Sequence, residues 1–150
     1  MSDVNYHTVQ EIALAVNDVE AATKRLSEVF NKTPDPIKST DTPGIELTSS
    51  GIWFGEFRLA IVGDSTGTGP TSKLLAKRGQ GLSEICMRVD DLDVAIADLK
   101  EKGVRLVSDD PFVVKDYYWK DGKTYSQVRI VFIHPKDMFG LQAELQEWTD

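Results

Sequence analysis

Hydrophobic positions near the start of the chain change from a strand-like run to a helical spacing. Residues 12–16 form an apolar run of strand length, which gives way at Asn17-Asp18, a pair typical of a helix N-cap. After it, apolar residues recur on one helical face: Val19, Ala22, Leu26, Val29 and Phe30. The pattern predicts a strand, then an amphipathic helix that begins after Asp18.

The segments around this pair complete a module of order βαβββ. Residues 1–9 are polar and lack periodicity, which predicts a short arm, and Pro34 and Pro36 predict a loop over 31–41 because proline cannot continue a helix. Short apolar segments then predict three strands, 45–48, 52–57 and 58–62, with turns near 49–51 and 55–56.

The same pattern occurs a second time. Residues 84–99 match residues 11–26 at one constant offset, so that Glu84 corresponds to Glu11 and Asp91 to Asp18. Self-similarity of this kind indicates a duplicated structural unit. The second copy predicts a strand over 82–89, a helix that begins after Asp91 and ends before Gly103, and strands over 104–107, 127–133 and 141–148.

The two copies predict an α+β fold made of tandem βαβββ modules. We expect a single domain over 1–150, with modules at about 9–63 and 82–148 joined by a linker at 64–81. Glycines make this linker flexible, and Thr71 or Ser72 is the predicted N-cap of a short helix that ends at Gly79. It has no Gly-Lys-Ser/Thr ending, so a phosphate-binding loop is rejected.

An aromatic segment distinguishes the second module from the first. Residues 112–125 are longer than their counterpart and contain five aromatic residues: Phe112, Tyr117, Tyr118, Trp119 and Tyr125. One interpretation is a protruding hairpin that turns at Asp121-Gly122. The other is a lid or pocket wall, in which Tyr117 and Trp119 are the candidate substrate-binding residues.

Composition and charge exclude several classes of partner. The net charge is −7 and the basic residues are scattered, which disfavours binding to nucleic acid or to an anionic membrane. Cys86 is the only cysteine, so an intrachain disulfide and a cysteine-based zinc site are excluded. No run of apolar residues has the length of a signal-peptide core or a membrane span, so we expect a cytoplasmic protein that binds a small molecule.

Strand alternation places polar residues together on one face of each sheet. Glu84, Cys86 and Arg88 alternate with the apolar residues that should meet the helix, and Gln142, Glu144 and Gln146 do the same in the last strand. In the first strand, Glu11 shares its face with two alanines, Ala13 and Ala15, which leave room for a ligand.

Three of these residues are carboxylates that the duplication places at equivalent strand ends. Burying Glu11, Glu84 and Glu144 in one concavity is costly without a cation, a shared proton or a basic partner. Arg88 is either that countercharge or a clamp for a substrate carboxylate, two interpretations that stay open here, and Gln142 is a further candidate for substrate binding.

Four segments of the sequence carry a resemblance to a known family: 11–22, 72–86, 91–106 and 131–136. They resemble the methylmalonyl-CoA epimerase branch of the vicinal-oxygen-chelate superfamily, which also contains glyoxalase I, extradiol dioxygenases and bleomycin-resistance proteins. This similarity covers about residues 9–147. The resemblance implies two βαβββ modules that curl around a shared cleft, with a divalent metal in that cleft. It also implies a homodimer.

The candidate metal site departs from that family's pattern. The resemblance places histidines of the epimerases at Glu11 and Glu84, and a glutamine or glutamate at Ala60, whereas Glu144 matches a family glutamate. If Glu11, Glu84 and Glu144 hold a metal, their oxygens favour a hard cation such as magnesium, manganese or calcium. The alternative is a metal-free site in which one carboxylate acts as a general base.

The resemblance implies an epimerase or isomerase, or an enzyme with a lyase outcome. Such an enzyme removes a proton next to a carbonyl, stabilises the enolate and returns a proton. The candidates for these proton transfers are Glu144, Glu84 and Glu11. The expected substrate is a small carbonyl compound or acyl thioester, with a cyclic or hydrophobic group to account for the altered site. The rival hypothesis is a resistance-type protein that binds a small molecule in the same cleft without turnover.

Overall fold

The computed structural model describes residues 4–42, 45–120 and 122–150. The chain forms two compact units: the N-unit, Glu11–Ser83, and the C-unit, which comprises Glu84–Asp150 and the residues up to Gln10. The elements are β1 (Tyr6–Ala15), α1 (Val19–Phe30), β2 (Lys38–Thr42), β3 (Ile45–Phe54), β4 (Phe57–Asp64), α2 (Pro70–Arg78), β5 (Gly81–Val89), α3 (Leu92–Glu101), β6 (Phe112–Tyr118), β7 (Thr124–Ile133) and β8 (Ala143–Thr149).

The N-unit contains four strands in the order β2-β3-β4-β1, with two helices on opposite faces. β1 and β4 run parallel, and Glu11 pairs with Arg58 in their register. Leu14, Ala22 and Leu26 pack with a buried cluster on the α1 face: Val16, Val19, Ile52 and Ile61. On the other face Leu74 and Leu75 of α2 pack against a second cluster: Ala13, Ala15, Ala60 and Val62. The room expected beside Ala13 and Ala15 is therefore filled by α2.

The C-unit repeats this arrangement with strands in the order β5-β8-β7-β6. β5 and β8 run parallel, and Cys86 pairs with Glu144 in their register. One face packs against α3 through eight buried residues: Val89, Leu92, Ala95, Leu99, Val131, Ile133, Ala143 and Leu145. Each unit is therefore a βαβββ module, which confirms the predicted fold class.

The N-caps predicted for α1 and α3 are confirmed. The Asp18 carboxylate accepts a hydrogen bond from the backbone N–H of Ala21 at 2.9 Å, and the Asp91 carboxylate accepts one from Val94 at 3.1 Å. Each bond satisfies an N–H group that has no partner within its helix. Gly103 follows α3 with a φ of 76°, a conformation that favours glycine.

Strand boundaries in the first module differ from the prediction. β1 begins at Tyr6, inside the predicted arm, and β2 begins in the predicted loop. The polar residues of β2 obtain strand geometry by pairing with β3 rather than by burying apolar side chains. β3 runs through the turn predicted at 49–51. There the buried Ser50 hydroxyl donates to the backbone carbonyl of Asp35 at 2.8 Å, so a polar residue is tolerated inside the strand.

The linker and the second module hold further corrections. The N-cap of α2 is Gly69, with Pro70 at the first helical position, rather than Thr71 or Ser72. Residues 104–107 form no strand and contribute a single bridge from Leu106 to Ile133. β6 and β7 pair in antiparallel fashion, as the hairpin interpretation of the aromatic segment predicts. Asp121 of the predicted turn lies outside the described residues.

Asp64 organises the approach to α2. Its carboxylate accepts backbone N–H groups from Thr66 at 2.8 Å, Gly67 at 2.9 Å and Ser72 at 3.2 Å. Burial raises the pKa of this carboxyl, but the hydrogen bonds from Thr66 and Ser72 outweigh that effect and hold the pKa well below its ordinary value of 3.8. The glycine-rich segment is thus held by one ionised side chain.

In the described part of the chain, no helix combines the length and the apolar character needed to cross a membrane.

Candidate functional site

In the N-unit, Glu11 is held in an ion pair with Arg58. Nη1 of Arg58 donates to Oε2 of Glu11 at 2.8 Å, and both side chains are largely buried, with exposed fractions of 18% and 11%. The parallel register of β1 and β4 places the two residues side by side. The basic partner of the buried Glu11 carboxylate is thus Arg58.

Asp35 and Trp53 complete this arrangement. Nε of Arg58 donates to Oδ2 of Asp35 at 3.2 Å, so one guanidinium bridges two carboxylates. The indole N–H of Trp53 lies within 3.0 Å of both Asp35 oxygens, and its ring lies 5.8 Å from the guanidinium carbon of Arg58. Asp35 itself is anchored, because its N–H donates to the carbonyl of Gly51 at 2.8 Å.

Sequence reasoning missed Arg58 and Asp35. Asp35 lies between two prolines in a segment predicted as a plain loop, and Arg58 stands at a predicted strand start. The available signal was the parity of β4, because a residue two positions from Ala60 must share its face.

In the C-unit, the predicted face of β5 and β8 carries Glu84, Cys86 and Glu144. Cys86 is fully buried and Glu144 is only 7% exposed. A ligand atom of Glu144 lies within 4.8 Å of the Cys86 sulfur, and that sulfur lies 3.9 Å from Oε1 of Glu84. The structure therefore brings Glu84 and Glu144 close to one thiol, on one face of the sheet.

A buried hydrogen-bond chain fixes the Glu144 carboxylate. Nε2 of Gln146 donates to Oε2 of Glu144 at 3.0 Å, and the Gln146 side-chain oxygen accepts from the Trp148 indole at 2.7 Å. Gln10 also donates to that oxygen at 3.1 Å. Oε1 of Gln10 has no hydrogen-bond partner among the described residues, so the chain ends in a buried acceptor.

Arg88 lies beside this chain but is not part of it. Its guanidinium carbon lies 3.9 Å from the centre of a Trp148 ring and 5.7 Å from the Tyr125 ring. Among the described residues Arg88 forms no ion pair, so the charge of its guanidinium is compensated only by aromatic faces. Such a guanidinium is suited to an anionic ligand group, which favours the clamp interpretation.

The aromatic residues of the β6-β7 hairpin pack on Trp148. Trp119 is 4% exposed, and its ring centre lies 4.9 Å from that of Trp148. Tyr117 is half-buried, stacks on Trp119 at 5.9 Å and meets Trp148 at 5.5 Å. Trp119 is thus an internal residue of an aromatic cluster, whereas Tyr117 is partly exposed. A substrate-binding role for either residue stays a prediction.

Gln142 lies just before β8, and its backbone carbonyl accepts the N–H of Ile85 at 3.0 Å. This bond aligns the start of β8 with β5, so the backbone of Gln142 has a structural role. A substrate-binding role for its half-buried side chain stays a prediction.

The N-unit does not fit a divalent metal. Of the two positions where the family resemblance implies ligands, Ala60 has no ligand atom, and Glu11 already contacts a guanidinium at 2.8 Å. In the C-unit, the Cys86 thiol lies near the carboxylates of both Glu84 and Glu144, and a thiol is a poor ligand for the hard cations expected from a carboxylate set.

Comparisons with known proteins agree with this architecture. A model of the Glyoxalase/Bleomycin resistance protein/Dioxygenase superfamily matches residues 10–120. The mitochondrial methylmalonyl-CoA epimerases of Mus musculus and Bos taurus are 24% and 25% identical, over 93% and 95% of this chain and 72% and 75% of theirs. These curated relatives are epimerases, in agreement with the expected enzyme class.

Solved structures show the same fold. A methylmalonyl-CoA epimerase in complex with methylmalonyl-CoA and NH4+ superposes with a TM-score of 0.79 at 23% identity, covering 95% of both chains. The enzyme from Mycobacterium tuberculosis superposes with a TM-score of 0.77 at 24% identity, covering 98% of this chain and 91% of its own. With its βαβββ units and the match over residues 10–120, the chain belongs to the Glyoxalase/Bleomycin resistance protein/Dioxygenase superfamily.

Proposed function

We propose that this protein is an epimerase or isomerase that moves the proton on the carbon next to the carbonyl of an acyl thioester. One observation carries the proposal: the buried Glu144 carboxylate, oriented by Gln146, shares a sheet face with a second carboxylate, Glu84. The curated relatives, which are named methylmalonyl-CoA epimerases and align over nearly the whole chain, support this reaction class.

Two carboxylates are what this reaction requires. Glu144 removes the proton from the substrate carbon, and the electron pair of the broken C–H bond moves into the thioester carbonyl to give an enolate. Glu84 then delivers a proton to the opposite face of the same carbon, and the carbonyl is restored. For the mirror-image substrate the two residues exchange roles.

Glu11 has a different role in this proposal. Its carboxylate is engaged by the Arg58 guanidinium, and abstraction of a proton by Glu11 would weaken that ion pair. We therefore assign the proton transfers to Glu84 and Glu144. That Glu11 shares one concavity with them stays a prediction.

Arg88 suggests the substrate class. A guanidinium on an aromatic face, with no carboxylate partner in the described parts of the chain, suits an anionic group of the substrate, either a carboxylate or a phosphate of coenzyme A. The structure named with methylmalonyl-CoA contains a substrate with both groups. A cyclic or hydrophobic acyl group, a cytoplasmic location and a homodimer stay predictions.

Isotope exchange tests the reaction directly. The protein is incubated in D2O with each isomer of methylmalonyl-CoA, and with branched acyl-CoA thioesters that lack the second carboxylate, and the signal of the proton next to the carbonyl is followed by NMR. We expect loss of this signal and interconversion of isomers for at least one thioester. Saturable binding of a thioester without exchange would instead support the non-catalytic binding protein.

Variants separate the two carboxylates. In Glu144→Gln and in Glu84→Gln, interconversion should stop while each variant still exchanges the proton of one isomer only, because a single base serves only one face of the carbon. Glu101→Gln on the exposed side of α3 is the matched control and should behave as the wild type. Normal interconversion in both glutamine variants would overturn the assignment.

A further inference from the structure

We propose that Arg58 takes the place of a divalent cation in the N-unit. Its guanidinium is a built-in counter-cation that holds Glu11 and Asp35 and prevents a metal ion from binding to Glu11. Arg58 excludes a hard divalent ion from Glu11 in the wild type. Removal of the Arg58 guanidinium should allow such an ion to bind.

The first support is charge. Arg58 lies 2.8 Å from a Glu11 oxygen and 3.2 Å from an Asp35 oxygen, so one positive group contacts both carboxylates. A divalent ion on Glu11 would stand within a few ångströms of this guanidinium and would be repelled by it. Arginine does not lose its charge at any pH at which proteins fold, so the repulsion is permanent.

The second support is space. A Cβ atom on Gly51 would overlap Nε and Cζ of Arg58, so the guanidinium occupies the volume that the side chain of any other residue would fill. Gly51 pairs with Ala60 across β3 and β4, and Ala60 adds no ligand atom. These two small residues leave room for the Arg58 guanidinium beside the sheet.

The third support is rigidity. Asp35 is fixed by the Trp53 indole and by its own N–H to the carbonyl of Gly51. The carboxylate is thus aimed at Arg58 before any ligand arrives, and the arginine lies on β4 beside Glu11. An ion that displaced the guanidinium would have to break both ion pairs.

Binding of Mn2+ tests the inference without any measurement of turnover. Mn2+ is titrated into metal-free wild type, Glu11→Gln, Arg58→Gln and the Arg58→Gln/Glu11→Gln double variant, and bound ion is followed by electron paramagnetic resonance. We expect matching titrations for wild type and Glu11→Gln. Arg58→Gln should bind Mn2+ at least about tenfold more tightly than wild type, and the double variant should lose this gain.

Arg25→Gln is the control, because it removes the same charge from an exposed position on α1. It should leave the titration unchanged. A wild-type Mn2+ site that Glu11→Gln removes would overturn the inference, as would a folded Arg58→Gln variant without any gain. If Arg58→Gln does not fold, the comparison of wild type with Glu11→Gln decides. If the wild type shows no isotope exchange, the proposed function fails, but the outcome of these Mn2+ titrations is unaffected.

Discussion

The indole N–H of Trp148 donates to the side-chain oxygen of Gln146 at 2.7 Å, and this bond sets the direction of a buried hydrogen-bond chain. An indole can only donate, so the atom of Gln146 that meets it must be the oxygen. The amide nitrogen of Gln146 is then left to donate to Glu144 at 3.0 Å. Trp148 therefore determines that Gln146 presents its amide N–H, and not its oxygen, to Oε2 of Glu144.

Gln146→Leu should reduce kcat by about tenfold or more and leave KM within a few-fold. The leucine removes the donor that orients Glu144, which weakens a catalytic group without touching the acyl-CoA, and a tenfold effect corresponds to about 1.4 kcal/mol. Steady-state rates of isomer interconversion measure both constants.

The control is Gln127→Leu, on the neighbouring strand β7, where the glutamine accepts a hydrogen bond from exposed Lys115. It should leave kcat unchanged. A Gln146→Leu variant that raises KM as strongly as it lowers kcat would show that Gln146 holds the substrate rather than Glu144.

Gly51→Ala should destabilise the N-unit by about 1–3 kcal/mol, because the added methyl overlaps the Arg58 guanidinium. Denaturant unfolding of the single variants and of Gly51→Ala/Arg58→Ala measures the coupling. If the overlap is the cause, the cost of the alanine should be at least about 0.5 kcal/mol smaller when Arg58 is absent. Equal costs in both backgrounds would show that Gly51 is required by the strand itself.

Asp64 predicts a loss of stability in acid. The folded protein holds the pKa of this carboxyl below its ordinary value of 3.8, so its ionised form stabilises the fold fully above that value. The stabilisation is lost as the pH falls from about 4 downwards, when the carboxyl binds a proton more readily in the unfolded chain. In Asp64→Asn, the free energy of unfolding should therefore decrease less steeply as the pH falls through this range.

Urea unfolding at several pH values measures this effect, with Asp110→Asn, an exposed carboxylate, as the control. The control should follow the wild-type pH dependence. An Asp64→Asn protein with the wild-type slope would show that other carboxyls govern the acid sensitivity.

The duplicated sequence pattern predicts much of this fold, because helices and strands that bury one face have apolar residues at regular intervals. Asp18 and Asp91 cap equivalent helices, and the faces of β5 and β8 follow strand alternation. β2 could not be found in this way, because its residues, Lys38–Thr42, are polar and form a strand only by pairing with β3. Local pattern predicts elements that bury apolar side chains, and it misses strands that owe their geometry to a neighbour.

The candidate site was predictable to a similar extent. Strand parity finds Glu84 and Glu144 because each is reached by counting along one strand. The partners of Glu11 needed more than counting. Arg58 comes from a parallel neighbour and Asp35 from a loop that folds back onto Gly51, and both depend on contacts between distant segments.

The β6-β7 hairpin should be ordered without any ligand. Trp119 and Tyr125 are buried against Trp148, so the aromatic cluster holds the hairpin on β8. Backbone amides of β6 and β7 should resist hydrogen exchange in the free protein, and Trp119→Ala should destabilise the C-unit by about 3–5 kcal/mol. Tyr118→Ala, at a side chain 64% exposed on the same hairpin, should stay within about 0.5 kcal/mol of wild type. Hairpin amides that become protected only after an acyl-CoA is added would instead identify this segment as a lid, because a lid obtains its packing from the ligand that it covers.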